Sequence, residues 1–294
     1  MRQATAQLFQ LMRPKQYLKN VAIVMGAGAS GLLAQTNNLV NLFFAVCAFS
    51  ALSSAVYILN DLQDLEFDRQ HPRKKSRALA SGSVSRNSAR FLMVLLLIVA
   101  FLIAFFTPLE ILYCLLTYFC LNVFYSLGGK NVVVLELLIV ASGFVLRGLV
   151  GVYAVGADPS MWFNLLAMFA SLLLVSGKRL AEKNNEKIEI NRVTVQQYTL
   201  EFLVSIRTVS VAGLLMTYFL MVENKIQDTD IPQYSVVMQL SLLPYIYCVL
   251  ALSYFMSRSD LEEPDTILVK FKPLMVGGLL WLTLYGFAIY GIQI

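Results

Sequence analysis

At 294 residues the chain is 58% hydrophobic and 14% charged, with a mean hydropathy of +0.67 and a formal net charge of +5. Its apolar residues fall in uniform runs of about twenty rather than in amphipathic alternation, which excludes a soluble globular domain and places the chain in a bilayer. The basic balance does not point to nucleic acid, because no exposed segment combines a basic groove with stacking aromatics.

Hydropathy predicts an all-α, polytopic membrane protein with about nine transmembrane helices, at roughly 18–34, 39–59, 89–107, 109–127, 132–153, 161–179, 203–222, 235–256 and 272–292. The first is short and rich in Gly and Ala. Polar residues interrupt any apolar core in residues 1–20, unlike a cleavable signal. No low-complexity linker divides the chain, so residues 1–294 are read as one domain. With a cytoplasmic N-terminus, that side receives Arg13, Lys15, Lys19, Arg69, Arg73, Lys74, Lys75, Arg77, Lys130, Lys178, Arg179, Lys183, Lys187, Arg192, Arg258, Lys270 and Lys272. The other side receives little beyond Lys225, a positive-inside bias that accounts for the pI near 9.0. Cys47, Cys114, Cys120 and Cys248 fall within spans, lack metal or redox spacing, and read as small buried apolar residues.

Charge gathers first directly after the second span, in NDLQDLEFDRQHPRKKSRALASG at 60–82. Asp61, Asp64 and Asp68 are spaced i, i+3, i+7, which places three carboxylates on one face of a helix continuing beyond the bilayer. Such carboxylates are hard ligands suited to Mg²⁺ that also binds phosphate oxygens. His71, Lys74 and Arg77 add cationic donors, and Gly82 offers a turn. A charge run after a span is ordinarily just a solvated loop. Against that, three Asp on one face repel one another without a counter-ion, and topology calls for basic rather than acidic residues.

Between the fourth and sixth spans, Tyr125 and Lys130 border the cytoplasmic side, and Glu136 and Arg147 lie within the fifth. Eleven residues of helix put that pair about 16 Å apart at ~1.5 Å per residue, too far to meet. An arginine there costs roughly 2.5–3.5 kcal/mol on insertion scales, so Arg147 is expected to face the bundle interior or snorkel to an interface. After the sixth span comes SGKRLAEKNNEKIEINR at 176–192, where Glu182, Glu186 and Glu189 repeat an acidic helical spacing behind Lys178 and Arg179. Its bland reading is an exposed helix of Glu–Lys pairs, with Lys183 and Lys187 as partners. Parity puts both clusters on the cytoplasmic side, where two acidic helical ends could face one cavity. A transporter would instead show broken spans or ionisable pairs at the midplane.

Asn60-Asp61-x-x-Asp64-x-x-x-Asp68 resembles the first aspartate-rich motif of the UbiA-type membrane prenyltransferases, nine-helix proteins with cytoplasmic caps over a central cavity. The extended motif, with LMRPKQYLKN at 11–20, YSLGGKNVVVLEL at 125–137, ASGFVLRG at 141–148, GKRLAE at 177–182 and YTLEFL at 198–203, is similar to one branch, the decaprenyl-phosphate phosphoribosyltransferases. The similarity runs from about residue 11 to 281, with Ala78 where a proline is expected, Glu136 for an aspartate, and KFKP at 270–273 for KDRP. The resemblance implies Mg²⁺-dependent transfer of 5-phosphoribose from phosphoribosyl diphosphate to a polyprenyl phosphate. The alternative within the family moves a prenyl group from a prenyl diphosphate to an aromatic acceptor.

On this reading Asp61, Asp64 and Asp68 hold Mg²⁺ on the diphosphate, and Asn60 orients the first of them. Lys74, Arg77, Lys178 and Arg179 bind phosphates, and Glu182 meets ribose or a second metal. Lys15, Lys19, Lys130 and Tyr198 are further candidates for the lipid phosphate or the sugar, and His71 is structural or phosphate-binding. The expected setting is a bacterial plasma membrane with the site on the cytoplasmic side and membrane lipid around the helices. The reading leaves an oligomer open.

Overall fold

The computed structural model describes residues 2–70, 74–184, 193–258 and 271–292, with side chains from residue 7 onward except at 36 and 193. Every regular element among them is helical, and eight segments are long and apolar enough to cross a membrane. The chain is an integral membrane protein. Its contacts divide it into two compact units, Met1–Gly129 with Leu146–Pro159 and Lys130–Val145 with Ser160–Ile294.

The first unit begins with α1 (Arg2–Leu11), a 3-10 segment Pro14–Asn20 and α2 (Val21–Ala29), followed by α3 (Thr36–Gln63) and α4 (Leu65–Gln70). Then come α5 (Arg86–Phe105), α6 (Leu109–Leu127) and the last part of α7 (Leu135–Ala154). Helix α3 is the centre of this unit. Ala45, Ala48, Ala51, Ser53, Ser54 and Ala55 are all buried, so small side chains bring α5 and α6 close to its axis. Helix α5 answers with Ala89, Leu96, Ala100 and Ala104, and turns Phe91, Ile98, Leu102 and Phe105 outward. Apolar residues on the outer face are what lipid requires, since there the surrounding solvent is hydrocarbon.

The first predicted span differs from the other eight. The nine residues of α2 rise only about 14 Å, well short of the ~30 Å hydrocarbon thickness. The preceding turns are 3-10, started by Pro14, and the chain leaves the helix at Ser30 before Gly31 takes a φ of 82°. Glycine accounts for the packing of α2 against the end of α7. A Cβ on Gly26 would overlap the carbonyl of Gly148, and one on Gly151 would overlap the carbonyl of Ile23. Backbone therefore lies directly on backbone. Gly151→Ala is expected to destabilise the protein by roughly 1–3 kcal/mol, because one helix must shift. Gly28→Ala, whose Cβ would meet nothing within 4 Å, is the neutral control in the same thermal-unfolding measurement.

The second unit contains the start of α7, then α8 (Met161–Asn184), α9 (Val193–Gln197), α10 (Leu200–Gln227), α11 (Pro232–Leu240), α12 (Leu242–Arg258) and α13 (Lys272–Gly286). A π turn at Phe287–Gly291 follows α13. The predicted eighth span is divided at Ser241 because Pro244 cannot donate to Leu240, and its ring would press on that carbonyl. Helices α8 and α10 form the main pair, and Tyr218 is buried at its far end. There Tyr218 shares a 2.7 Å hydrogen bond with Ser241 and accepts one of 2.8 Å from the Trp281 indole. Thr199 caps the other end of α10, its side chain accepting from the Phe202 N–H.

Candidate functional site

The first acidic segment does not continue as one straight helix. Helix α3 ends at Gln63, Asp64 takes φ −86° and ψ 7°, and α4 restarts at the buried Leu65. The expected single face of three aspartates is thereby broken. Asp61 and Asp68 are nonetheless brought together, 5% and 3% exposed, while Asp64 is half-buried. Arg77 joins the two, its Nη1 donating to Asp61 Oδ1 at 3.1 Å and to Asp68 Oδ2 at 2.5 Å. Lys74 Nζ stands 3.9 Å from Asp68, and Arg13 pairs with Asp61. At an effective dielectric near 20, two such carboxylates about 5 Å apart repel by roughly 3 kcal/mol, so the shared guanidinium is a condition of their burial.

The surrounding chain holds these cations in place. Arg13 adopts a left-handed φ of 53° immediately before Pro14. Ser54 secures it from both sides, donating to the Met12 carbonyl at 3.0 Å and bonding the Tyr17 hydroxyl at 2.8 Å. Ser54, Tyr57 and Asp61 follow one another along one face of α3, and the Arg13 guanidinium lies 5.3 Å over the Tyr57 ring. Arg77 sits on a tight loop closed by the expected turn at Gly82 (φ 77°) and anchored by buried Ala78, Leu79 and Val84. Asn60 accepts from Ser126 of α6, which fixes the residue preceding Asp61.

In the second unit a buried ion pair organises the second cluster. Arg179, 3% exposed, gives Nε and Nη2 to the two oxygens of Glu136, each at 2.8 Å, and Nη1 to Glu182 at 2.8 Å. Glu136 is fully buried in the first turn of α7, where an acid also meets the helix dipole favourably. Tyr198 completes the arrangement. It accepts the Val134 N–H at 2.9 Å and donates to Glu136 at 3.5 Å, and burial pushes its phenol up so that it keeps the proton it donates. Val134 has φ 68°, a conformation that branched residues rarely adopt. Among the described residues only Arg13 and Val134 are non-glycine positions with positive φ, and each adjoins one of the two clusters. Strained backbone of this kind persists where surrounding contacts over-determine it.

The UbiA prenyltransferase family model matches residues 21–267. The chain belongs to this family. Among similar proteins is the decaprenyl-phosphate phosphoribosyltransferase of Corynebacterium glutamicum, 32% identical over 96% of this chain and 86% of that one. The protein of the same name from Mycolicibacterium smegmatis is 28% identical over 96% and 92%. In fold, this UbiA-family chain is similar to a UbiA homologue from Archaeoglobus fulgidus, solved with geranyl diphosphate (GPP) and Mg²⁺. The TM-score is 0.73 at 17% identity, over 97% of this chain and 100% of that one.

Within this UbiA-family protein, Asn60, Asp61, Asp64, Asp68, Lys74 and Arg77 gather in the first unit, and Glu182, Arg179 and Tyr198 in the second. Lys178 is half-buried on the last turns of α8, and Lys130 is half-buried, its carbonyl accepting from Thr194 at 3.5 Å. Lys15 is exposed and Lys19 half-buried on the 3-10 segment. His71, Glu186 and Glu189 lie outside the described residues. Sequence reading passed over Arg13, Ser54 and Ser126 as site residues, and only the uncommon Arg-Pro pair hinted at the first. Arg147 does face an interior, that of the first unit: its Nε donates to Asn20 at 3.1 Å, its Nη2 to Tyr118 at 3.2 Å, and it lies over the Phe49 ring.

For Mg²⁺ the donor set is suitable. Asp61 and Asp68 present hard oxygens beside one another, balanced with Asp64 by three cations, Arg13, Lys74 and Arg77. Among the described residues no three carboxylate, His or Cys groups enclose an ion by themselves.

Proposed function

We propose that this UbiA-family protein transfers 5-phosphoribose from phosphoribosyl diphosphate to a polyprenyl phosphate and releases diphosphate. The observation that carries this reading is the near end-to-end similarity to relatives named for that activity, at 28–32% identity over 96% of the chain. The site is proposed to face the cytoplasm of a bacterial plasma membrane, where phosphoribosyl diphosphate is available and the positive-inside bias places both clusters.

Asp61, Asp68 and Asp64 would hold Mg²⁺, which supplies charge neutralisation on the departing diphosphate. Asn60, fixed by Ser126, orients Asp61. Arg77, Lys74 and Arg13 are paired with the carboxylates, and their other donors would turn to phosphate oxygens. Exchange of partners within a balanced cluster avoids leaving any buried charge alone. Lys178 supplies cationic charge for the 5-phosphate. Arg179 serves the same subsite through Glu182, which it orients toward ribose. Tyr198 keeps Glu136 in place beneath Arg179. Lys130, Lys15 and Lys19 offer further cationic contacts to phosphate. Because the acceptor phosphate is ionised at neutral pH, its oxygen can attack C1 of ribose without a general base; the new C–O bond forms as the C1–diphosphate bond breaks.

The test offers purified protein with Mg²⁺ two substrate pairs and follows lipid products by mass spectrometry. Phosphoribosyl diphosphate with polyprenyl phosphate is expected to give phosphoribosylated lipid. Product from a prenyl diphosphate and a hydroxybenzoate alone would keep the family and overturn the substrates.

A further inference from the structure

A third arginine lies inside a spanning helix and belongs to neither cluster. Arg207 is the eighth residue of α10, on the stripe whose buried members include Leu203, Ser210 and Leu214. It is half-buried, and its shielded Nη1 donates to no partner among the described residues. Two arginines buried more deeply than Arg207 are satisfied, Arg147 by Asn20 and Tyr118, Arg179 by two glutamates. Hydroxyls near Arg207 are turned elsewhere. Ser205, Thr208 and Ser210 each donate to the carbonyl four residues earlier in α10.

A guanidinium inside a spanning helix carries an insertion cost that is greatest at the helix centre and smaller toward the ends. A shielded charged donor without a partner adds at least ~1–3 kcal/mol. Nothing in the helix repays that, so an anion from outside the chain is the natural complement. Its position narrows the kind of anion. Seven residues of helix place the Arg207 Cα about 10 Å from the start of α10, and the side chain leans back toward that start. The guanidinium thus lies near the end of α10 that follows Tyr198 and carries the Thr199 cap. A soluble phosphate would have to leave water to reach it. A lipid phosphate arrives with its chain already in hydrocarbon, and Val204, one turn before the arginine on the same side of α10 and 39% exposed, offers that chain apolar surface.

We propose that Arg207 binds the phosphate of the polyprenyl phosphate acceptor. The fork of a guanidinium matches two oxygens of a phosphomonoester, a geometry that lysine reproduces only as a point charge. The identity of this lipid rests on the reaction proposed above; the anion site itself does not. Full-length protein in phosphatidylcholine nanodiscs is titrated with a polyprenyl phosphate, with the polyprenol of equal length, and with phosphatidylglycerol, and binding is read by native mass spectrometry. The wild type is expected to prefer the phosphate over the alcohol by about tenfold or more, and Arg207→Gln to lose most of that preference, with Arg207→Lys intermediate. In turnover, KM for polyprenyl phosphate should rise by a similar factor in Arg207→Gln while KM for phosphoribosyl diphosphate stays within about twofold.

Equal binding of phosphate and alcohol by the wild type would overturn the site without reference to any variant. So would unchanged binding by Arg207→Lys and Arg207→Gln, or a loss confined to phosphatidylglycerol. Binding of polyprenyl phosphate through Arg207 without phosphoribosyl product would sustain the site and overturn the reaction.

Discussion

Asp61→Asn and Asp68→Asn are each expected to lower Mg²⁺-dependent turnover by roughly a thousandfold or more while leaving the protein folded in detergent. Both substitutions keep the shape of the side chain and one carbonyl oxygen, which at Asp61 can still serve Arg13 and Arg77, both on Oδ1, and at Asp68 serves either Arg77 or Lys74, which now pair with different oxygens. What disappears is the negative charge that would attract the metal. The readout independent of catalysis is thermal stability against Mg²⁺ concentration in the presence of diphosphate. A ligand at a hundred times its Kd stabilises the folded state by about 2.7 kcal/mol, and the aspartate variants should show little of this. Glu66 is the control from the same acidic run. It is exposed and, among the described residues, pairs with Arg69 and Arg86, at 3.3 and 2.5 Å, so Glu66→Gln should change stability by no more than about 0.5 kcal/mol and leave turnover intact. If Glu66→Gln were as damaging as Asp61→Asn, the segment would be acting through bulk charge and the metal assignment would fall.

How much of this was legible in the sequence depends on how local each feature is. Eight spans were legible because hydropathy is a sum over neighbouring residues, and α3 through α13 follow it closely. The ninth was not, because apolar composition around 18–34 cannot show that Pro14 and Gly31 leave only nine α-helical residues between them. The aspartate run announced its chemistry, yet nothing in Gln63-Asp64-Leu65 announces a helix break. The break follows from tertiary packing, with Leu65 buried at the start of α4. Partners far apart in sequence were invisible in the same way. Arg13 read as one more topology charge, although it reaches Asp61 across forty-eight residues. Glu136 and Arg179 are forty-three residues apart, and no local pattern pairs them. The resemblance supplied the roles but not the geometry: it put Arg179 on a phosphate, and it did not show that Arg179 pairs with Glu136 and Glu182.

The last of these differences can be measured. Arg179→Met and Glu136→Leu are each expected to destabilise the protein by about 3–5 kcal/mol, because each leaves a charged group or its donors buried without the partner that compensated it. Removing both together, Arg179→Met with Glu136→Leu, should cost less than the sum, since apolar groups of similar volume tolerate the site that a single charge cannot. A surface phosphate ligand behaves otherwise: removing it leaves the fold unaffected and raises KM for the phosphate it binds. The two roles for Arg179 are therefore separated by the sign of the coupling and not by loss of activity, which both predict. If Arg179→Met unfolds at the wild-type temperature and only its KM for phosphoribosyl diphosphate rises, Arg179 is a direct phosphate ligand. If instead the single variants unfold early and the double variant recovers stability without activity, the pair is a support for Glu182. With Arg179 gone, Glu182 loses the 2.8 Å bond that orients it, so stability returns in the double variant while the ribose contact does not.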